Sequence, residues 1–157
     1  MSLQIGDPAP EFALPDQDGR TVRLGDLRGR TVILFFYPKD DTSGCTAQAC
    51  GFQAALPTVD AAGAMVIGIS PDGQASHVAF RDKYGLAFPL LVDADHAVAA
   101  AYGAWGEKSM YGRTYEGILR SHFVIDPQGR VMDAQVKVSP ADSVRLAVAT
   151  VASAAGG

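Results

Sequence analysis

Apolar runs alternate with helix-like segments along most of the chain. The clearest run is Thr31–Tyr37, in which apolar side chains follow one another almost without interruption. A strand covered on both faces has this pattern, as in a parallel sheet flanked by helices. Two further runs, Met65–Ile69 and Pro89–Val92, predict two more buried strands. A polar and apolar alternation at Thr21–Leu24 is typical of an edge strand.

Helices are predicted between these strands. The segment from Ser43 onward loses its turn residues and becomes rich in alanine, which favours a helix. Ser76 is placed to cap a second helix that Gly85 would end. Asp95 is placed to cap a third, alanine-rich helix. Strands and helices therefore alternate through the first two thirds of the chain.

The pattern changes near the carboxyl terminus. Ser121–Asp126 and Arg130–Val136 flank a Pro-Gln-Gly turn, which predicts a β-hairpin. Ser139 and Pro140 have the order of an N-cap followed by the first helical residue. The valines that follow recur with helical spacing, so the chain is expected to end in a helix with one buried face.

Alternating strands and helices, followed by a hairpin and a last helix, predict an α/β protein with a mixed central β-sheet flanked by helices. This architecture is compatible with a thioredoxin-like fold, although periodicity alone does not distinguish that fold from other three-layer α/β folds. The 157 residues contain no internal repeat and no low-complexity linker. We therefore expect residues 1–157 to form a single domain.

Composition narrows the functional classes. Apolar residues make up 48% of the chain and charged residues 19%, as in globular domains. The net charge is −4 and no cluster of Lys and Arg is present, so nucleic-acid binding is disfavoured. Neither a signal peptide nor an apolar run long enough to span a membrane is visible. We expect a cytoplasmic protein and, since nothing marks a dimer face, a monomer.

The two cysteines, Cys45 and Cys50, lie close together in the sequence. In a reducing compartment such a pair is inert, metal-binding or redox-active. Two thiols do not complete a tetrahedral zinc site, and His77, His96 and His122 are scattered along the chain. We therefore expect no metal and no cofactor.

Cys45 is placed for reactivity. It follows a buried strand, a proline stop at Pro38, a polar loop and two possible cap residues, Thr42 and Ser43. The first turn of a helix lowers a thiol pKa, and its free amides can hold a polarised oxygen. The alternative is a small buried cysteine that only packs at the start of the helix.

The five-residue spacing between Cys45 and Cys50 restricts disulfide formation. In one α-helix it turns the side chains about 140° apart and separates the Cα atoms by roughly 8–9 Å. A disulfide requires Cα atoms within about 7 Å. Either the pair never bonds, with Cys50 as a packed core thiol, or oxidation requires this turn to unwind.

The loop that leads to Cys45 resembles the active-site loop of the peroxiredoxins. Its pattern is Pro-x3-Thr-x2-Cys, formed here by Pro38, Thr42 and Cys45. Cys50 matches the resolving position of one subfamily, the bacterioferritin comigratory protein or peroxiredoxin Q group. Trp105–Arg120 is similar to a second signature of that subfamily. The resemblance extends from about Gly6 to the last helix.

This resemblance implies a thioredoxin-like fold and an atypical 2-Cys peroxidase that reduces hydrogen peroxide and organic hydroperoxides. Cys45 would be oxidised to a sulfenic acid, and Cys50 would resolve it as an intramolecular disulfide. Thr42 would orient the peroxide, Pro38 would shield the thiolate from water, and Arg120 would stabilise the developing charge. A thioredoxin-type protein would be the reductant.

The sequence departs from the subfamily at Ser43, where proline is common, and at His122, where threonine is commoner. His122 is interpreted as a strand residue. The adjacent Asp40 and Asp41 are interpreted as solvated loop carboxylates. Two rival functions stay open: a general thiol–disulfide oxidoreductase, which the absence of a Cys-x2-Cys pair disfavours, and a redox sensor on the same fold.

Overall fold

The computed structural model describes residues 3–156, and the side chains of all of these except 110, 155 and 156. In chain order the elements are β1 (Ala13–Pro15), β2 (Thr21–Arg23), a 3-10 turn (Leu24–Leu27), β3 (Thr31–Phe36), α1 (Ser43–Ala61), β4 (Ala64–Ser70), α2 (Gln74–Tyr84), β5 (Leu90–Val92), α3 (Ala97–Ala101), β6 (Trp105–Met110), β7 (Arg113–Ile118), β8 (Ser121–Ile125), β9 (Val131–Val136) and α4 (Pro140–Gly156).

The main sheet has five strands in the order β5-β4-β3-β8-β9. The central strand β3 pairs in parallel with β4 and antiparallel with β8, so the sheet is mixed as the sequence predicts. Strands β8 and β9 form the predicted hairpin, with a register shift between Val124 and Ile125. Strands β1 and β2 pair separately in a small antiparallel ribbon, and β2 lies where an edge strand was expected.

Each face of the sheet carries its own hydrophobic core, because successive side chains of β3 point in opposite directions. Phe36 packs on one face with Tyr102 and Phe123. Phe35 packs on the other face, where its ring stacks on Phe52 of α1 at 4.9 Å between centroids. Burial of a Phe side chain contributes about 2–3 kcal/mol, so this contact helps to fix α1 against the sheet.

Gly68 in β4 makes this packing possible. A Cβ atom at this position would lie 2.8 Å from Cζ of Phe35, a distance that forces atoms to move. The glycine is therefore required by the aromatic ring above it, not by its backbone conformation.

The helix ends agree only partly with the sequence prediction. Helix α4 begins as expected, since Ser139 Oγ accepts the backbone N–H of Asp142 at 3.2 Å. Helix α2 begins earlier than expected, with Gly73 as its N-cap, so the prediction of Ser76 as the cap is wrong. Asp95 is not the cap of α3 either, because His96 occupies that position in a left-handed conformation.

Sequence patterning misses β1, the 3-10 turn and, most extensively, the hairpin of β6 and β7. Its residues are mostly polar, and the two strands pair only with each other. Tyr111 and Gly112 form the turn, with φ angles of 53° and 77°, as two-residue hairpin turns require. Among residues 3–156, no helix combines the length and apolar character that crossing a bilayer requires.

Candidate active site

Cys45 lies in the first turn of α1, directly beyond the end of β3. Pro38 has no N–H group to continue the strand ladder, so the chain leaves the sheet here. Thr42 occupies the N-cap position with an extended backbone, and its carbonyl accepts the N–H of Thr46 at 2.8 Å. The Cys45 side chain is fully buried. The structure thus places the predicted nucleophile at a helix N-terminus, where the amide dipoles favour a thiolate.

The side chain of Thr42 does not cap the helix. Its hydroxyl donates instead to the carbonyl of Lys39 at 2.9 Å, which closes the loop on itself. Ser43 is the first helical residue and is exposed. The prediction of Thr42 as a cap residue is confirmed in position, but neither its hydroxyl nor that of Ser43 makes a side-chain cap bond. The Thr42 oxygen donates its proton to Lys39 and keeps its lone pairs to accept a hydrogen bond.

Arg120 is the charged group nearest to the thiol in the described contacts. It immediately precedes β8, whose first residue pairs with Phe36 at the end of β3, and this register brings the guanidinium beside α1. Its Nη2 lies 3.5 Å from Sγ of Cys45, and its Nη1 donates to Oε1 of Gln48 at 2.9 Å. A guanidinium remains charged at all accessible pH values and stabilises a thiolate beside it.

Gly44 gives Arg120 the space for this approach. A Cβ atom at residue 44 would lie 2.8 Å from Nη2 of Arg120. The guanidinium therefore occupies the volume that any larger side chain at this position would fill.

A cleft of about 530 Å³ opens beside the site, and Pro38 and Arg120 are on its wall. Its other lining residues are Glu107, Lys108, Ser109, Leu119 and Lys137. Partial burial and the charge of Arg120 lower the pKa of Lys108, while the Cys45 thiolate opposes this change. Arg120, Lys108 and Lys137 outnumber Glu107 in the lining, so the cleft is positively charged, and Arg120 joins it to the buried sulfur.

Cys50 lies in α1 together with Cys45, and both are free thiols. Cys50 is partly exposed whereas Cys45 is buried. Because the helix is continuous through both residues, the separation expected from helical geometry applies, and no disulfide forms in this conformation.

Asp40 is not a solvated loop carboxylate as expected, but a buried anchor of the loop. Its carboxylate accepts hydrogen bonds from Tyr37 Oη at 2.6 Å and Ser76 Oγ at 2.7 Å, and pairs with His77 Nδ1 at 2.6 Å. Burial alone would raise the pKa of Asp40, but the bonds from His77, Tyr37 and Ser76 together lower it. Asp41 is exposed, in agreement with the prediction.

Three site residues were missed by sequence reasoning: Gln48, Gly44 and Asp40. Gln48 carries a detectable signal, since it lies one turn after Cys45 on the same face and is a polar residue among buried ones. Asp40 carries none, because its partners in α2 are more than thirty residues away in the sequence.

Comparison with known proteins identifies the family of the chain. Residues 5–134 match the model of the AhpC/TSA family. The chain is 42% identical to peroxiredoxin Bcp of Bacillus subtilis over 150 residues, 96% of each chain. It is 48% identical to peroxiredoxin Bcp of Escherichia coli over 129 residues, 82% of this chain and 83% of the other. The solved bacterioferritin comigratory protein of Xanthomonas campestris, described for its alkyl peroxide reduction, superposes with a TM-score of 0.88 at 37% identity over 98% of both chains.

The fold and the buried thiol at a helix N-terminus therefore define a thioredoxin-like peroxidase. The chain belongs to the AhpC/TSA family, the peroxiredoxins, and its relatives are of the Bcp and peroxiredoxin Q group. Membership in this family implies thiol-dependent reduction of peroxides, which confirms the resemblance, the fold class and the general activity expected from the sequence.

Proposed function

We propose that Cys45 is the nucleophile that reduces hydrogen peroxide and organic hydroperoxides. Its thiolate attacks the nearer peroxide oxygen, the O–O bond breaks, and the second oxygen leaves as water or an alcohol after taking up a proton. Cys45 becomes a sulfenic acid. The observation that carries this proposal is the 3.5 Å contact between Arg120 Nη2 and Sγ at the start of a helix.

Arg120, Thr42 and Pro38 assist at the same centre. Arg120 stabilises the thiolate and then the charge that develops on the peroxide oxygens. The Thr42 hydroxyl, already fixed on the Lys39 carbonyl, accepts a hydrogen bond from the peroxide. Pro38, which lines the cleft, shields the thiolate from water in this proposal, and the cleft wall shifts to admit substrate to the buried thiol.

Cys50 resolves the sulfenic acid. Its sulfur attacks the sulfenic sulfur, water is released, and a Cys45–Cys50 disulfide forms. Because this bond is incompatible with the intact helix, the first turns of α1 unwind during each cycle. A thioredoxin-type protein then reduces the disulfide by thiol exchange and allows the helix to re-form.

The substrates include peroxides with an organic group. The relative from Xanthomonas campestris is described for alkyl peroxide reduction, and Pro38 and Leu119 give the cleft of this chain an apolar wall. The enzyme acts in the cytoplasm as a monomer formed by the single domain 1–157, without a cofactor and without binding nucleic acid or a membrane.

The decisive experiment measures peroxide consumption with a recycling thioredoxin system. Wild type should consume many equivalents and Cys45→Ser none, whereas Cys50→Ser should still react once with peroxide but form no internal disulfide. Substantial turnover by Cys45→Ser would refute the nucleophile. Consumption that stops after one equivalent in wild type would favour the redox sensor.

A further inference from the structure

Behind Arg120, a chain of hydrogen bonds leads away from the active site across the molecule. Gln48 accepts from Arg120 through Oε1 and donates through Nε2 to Oγ of Ser143 in α4 at 3.0 Å. Ser143 Oγ lies 2.8 Å from Nδ1 of His122 in β8. The second ring nitrogen of His122 lies 2.9 Å from Oδ2 of Asp133 in β9. Four elements of the fold are thereby connected to the guanidinium.

The middle of this chain of hydrogen bonds is closed to water. Gln48, Ser143 and His122 have no exposed surface, and only the side chain of Asp133 reaches solvent, at 14% exposure. A buried polar group without a partner costs about 1–3 kcal/mol, so the donors and acceptors of these side chains must bond to one another.

The donors and acceptors fit in one direction only. Arg120 can only donate, so the Gln48 oxygen faces it and the Gln48 amide must donate to Ser143. Ser143 Oγ has lone pairs for two donors, but in the described contacts its own proton has no acceptor other than Nδ1 of His122. The hydroxyl therefore donates to Nδ1, which accepts only when the ring is neutral and carries its proton on Nε2. The Nε2–H group of His122 then donates to the Asp133 carboxylate. A carboxylate in this position selects the tautomer of a histidine.

The ring environment favours the same neutral state. Burial lowers the pKa of His122, and the hydrogen bond and charge of Asp133 oppose this only in part. Asp133 is itself held by Nε2 of Gln135, which donates to its other oxygen at 2.9 Å. The outer end of the chain is therefore fixed in position as well as in charge.

We propose that His122 and Asp133 are positioning residues for the peroxidase: through Ser143 and Gln48 they hold the Arg120 guanidinium in the orientation that directs Nη2 at Cys45. This inference rests on the proposed role of Cys45. The hydrogen-bond chain fixes Nη1 of the guanidinium on Gln48, and Nη2 then points at the sulfur. When the tautomer of His122 is no longer selected, the Ser143 hydroxyl loses the acceptor for its proton, Gln48 is held less firmly, and the contact of Arg120 with the thiolate weakens.

Asp133→Asn tests the proposal because Asp133 could act on the thiol in two ways, and the two predict changes of opposite sign in the pKa of Cys45. Arg120 and Lys108 are the cationic groups that act on Cys45, and Asp133 is a distant negative charge. Removal of a negative charge acting only through space would lower the pKa of the Cys45 thiol. Loss of positioning through the chain should instead raise it by about half to one unit, which leaves about three- to tenfold less thiolate below the pKa.

The measurement is a pH titration of the thiolate ultraviolet absorbance in a Cys50→Ser background. Asp60→Asn, which removes an exposed carboxylate from α1, is the matched control for charge. An unchanged or lowered thiol pKa in Asp133→Asn overturns the proposal. In a Gln48→Met background, which breaks the chain, Asp133→Asn should no longer raise the thiol pKa; a further full increase would also overturn it.

A nitrogen-15 spectrum of the wild-type imidazoles keeps the proposal testable whether or not the variants fold. At neutral pH His122 should be neutral with its proton on Nε2, and a proton on Nδ1 would overturn the proposal. None of these measurements requires peroxide. If wild type does not turn over peroxide, the proposed function fails, while the hydrogen-bond chain can still be confirmed by these measurements. If wild type turns over peroxide but the thiol pKa does not rise in Asp133→Asn, only the positioning proposal fails.

Discussion

At the scale of single residues, the site depends on how closely a guanidinium approaches a buried sulfur. Arg120 uses separate nitrogens for Cys45 and Gln48, which a lysine ammonium, as a single point charge, does not reproduce. Gly44 contributes no functional group, yet it leaves the volume in which Nη2 lies. The absence of a side chain at Gly44, in the first turn of α1, thus decides whether Arg120 reaches the thiol.

Gly44→Ala should lower peroxidase activity without loss of stability. The new Cβ forces the flexible end of Arg120 away from the sulfur, and loss of such a contact costs tenfold or more in rate. Alanine is the better helix former, by about 0.5–1 kcal/mol. Stopped-flow oxidation of Cys45 and urea unfolding measure the two effects, with exposed Ser43→Ala as the control. A Gly44→Ala enzyme with wild-type rate would show that the contact is dispensable.

At the scale of elements, the loop after β3 must be held firmly at its start, whereas the first turns of α1 that follow it must be able to unwind. Asp40 fixes the start of the loop by accepting from Tyr37, which directly follows β3, and by bonding to residues of α2. One of these is His77, whose Nε2 contacts the carbonyl of Leu91 at 2.9 Å. Both ring nitrogens of His77 therefore face acceptors, which fixes the ring between the loop and β5. Beyond Asp40 the first turns of α1 carry both thiols and have to open for a disulfide.

Asp40→Asn should destabilise the fold by about 1–3 kcal/mol, because it weakens a buried, charge-assisted cluster. The pKa of Asp40 is lowered in the folded state, so its contribution is complete above the ordinary value of 3.8 and disappears as pH falls through the lower folded-state pKa. The difference in unfolding free energy between wild type and variant should therefore shrink in acid. Asp41→Asn, at the exposed neighbour, is the control, and a difference that stays constant with pH would contradict the prediction.

Oxidation should expose the start of α1. Because the helix holds Cys45 and Cys50 too far apart for a disulfide, amide hydrogen exchange around these residues should become faster in the oxidised protein, while β3 and β4 stay protected. The Cys50→Ser variant treated with peroxide is the control and should retain its protection. Equal protection of α1 in reduced and disulfide forms would exclude the unwinding step.

At the scale of the whole molecule, polar bonds join the active site to the far edge of the sheet. Helix α4 covers the same sheet face as α1, and Ser143 of α4 lies between Gln48 and His122. This position gives the last helix a part in the site, although none of its residues approaches the sulfur within hydrogen-bond distance in the described structure. A polar path through an apolar core also makes the stability of the protein sensitive to the protonation of His122.

Global stability should fall below about pH 6.5 because of His122. Its folded-state pKa is lowered by burial, so the unfolded chain binds more protons, and the contribution is complete above 6.5 and lost as pH falls through the folded-state pKa. His122→Asn should remove this part of the slope. Urea unfolding at about pH 7.5 and pH 5 measures it, and an unchanged slope in the variant would contradict the prediction.

The sequence by itself determined the order of the main strands and helices and the position of both thiols in α1. These are local properties, since hydrophobic periodicity and a proline stop act over a few residues. Arg120 came from the resemblance of Trp105–Arg120 to the second signature of the subfamily. Only the tertiary structure showed Gln48 and Gly44 beside Arg120. It also showed that Asp40, predicted as a solvated loop residue, and His122, correctly predicted as a strand residue, are buried hydrogen-bond partners. Their roles depend on atoms from strands and helices distant in sequence, and no local pattern encodes such contacts.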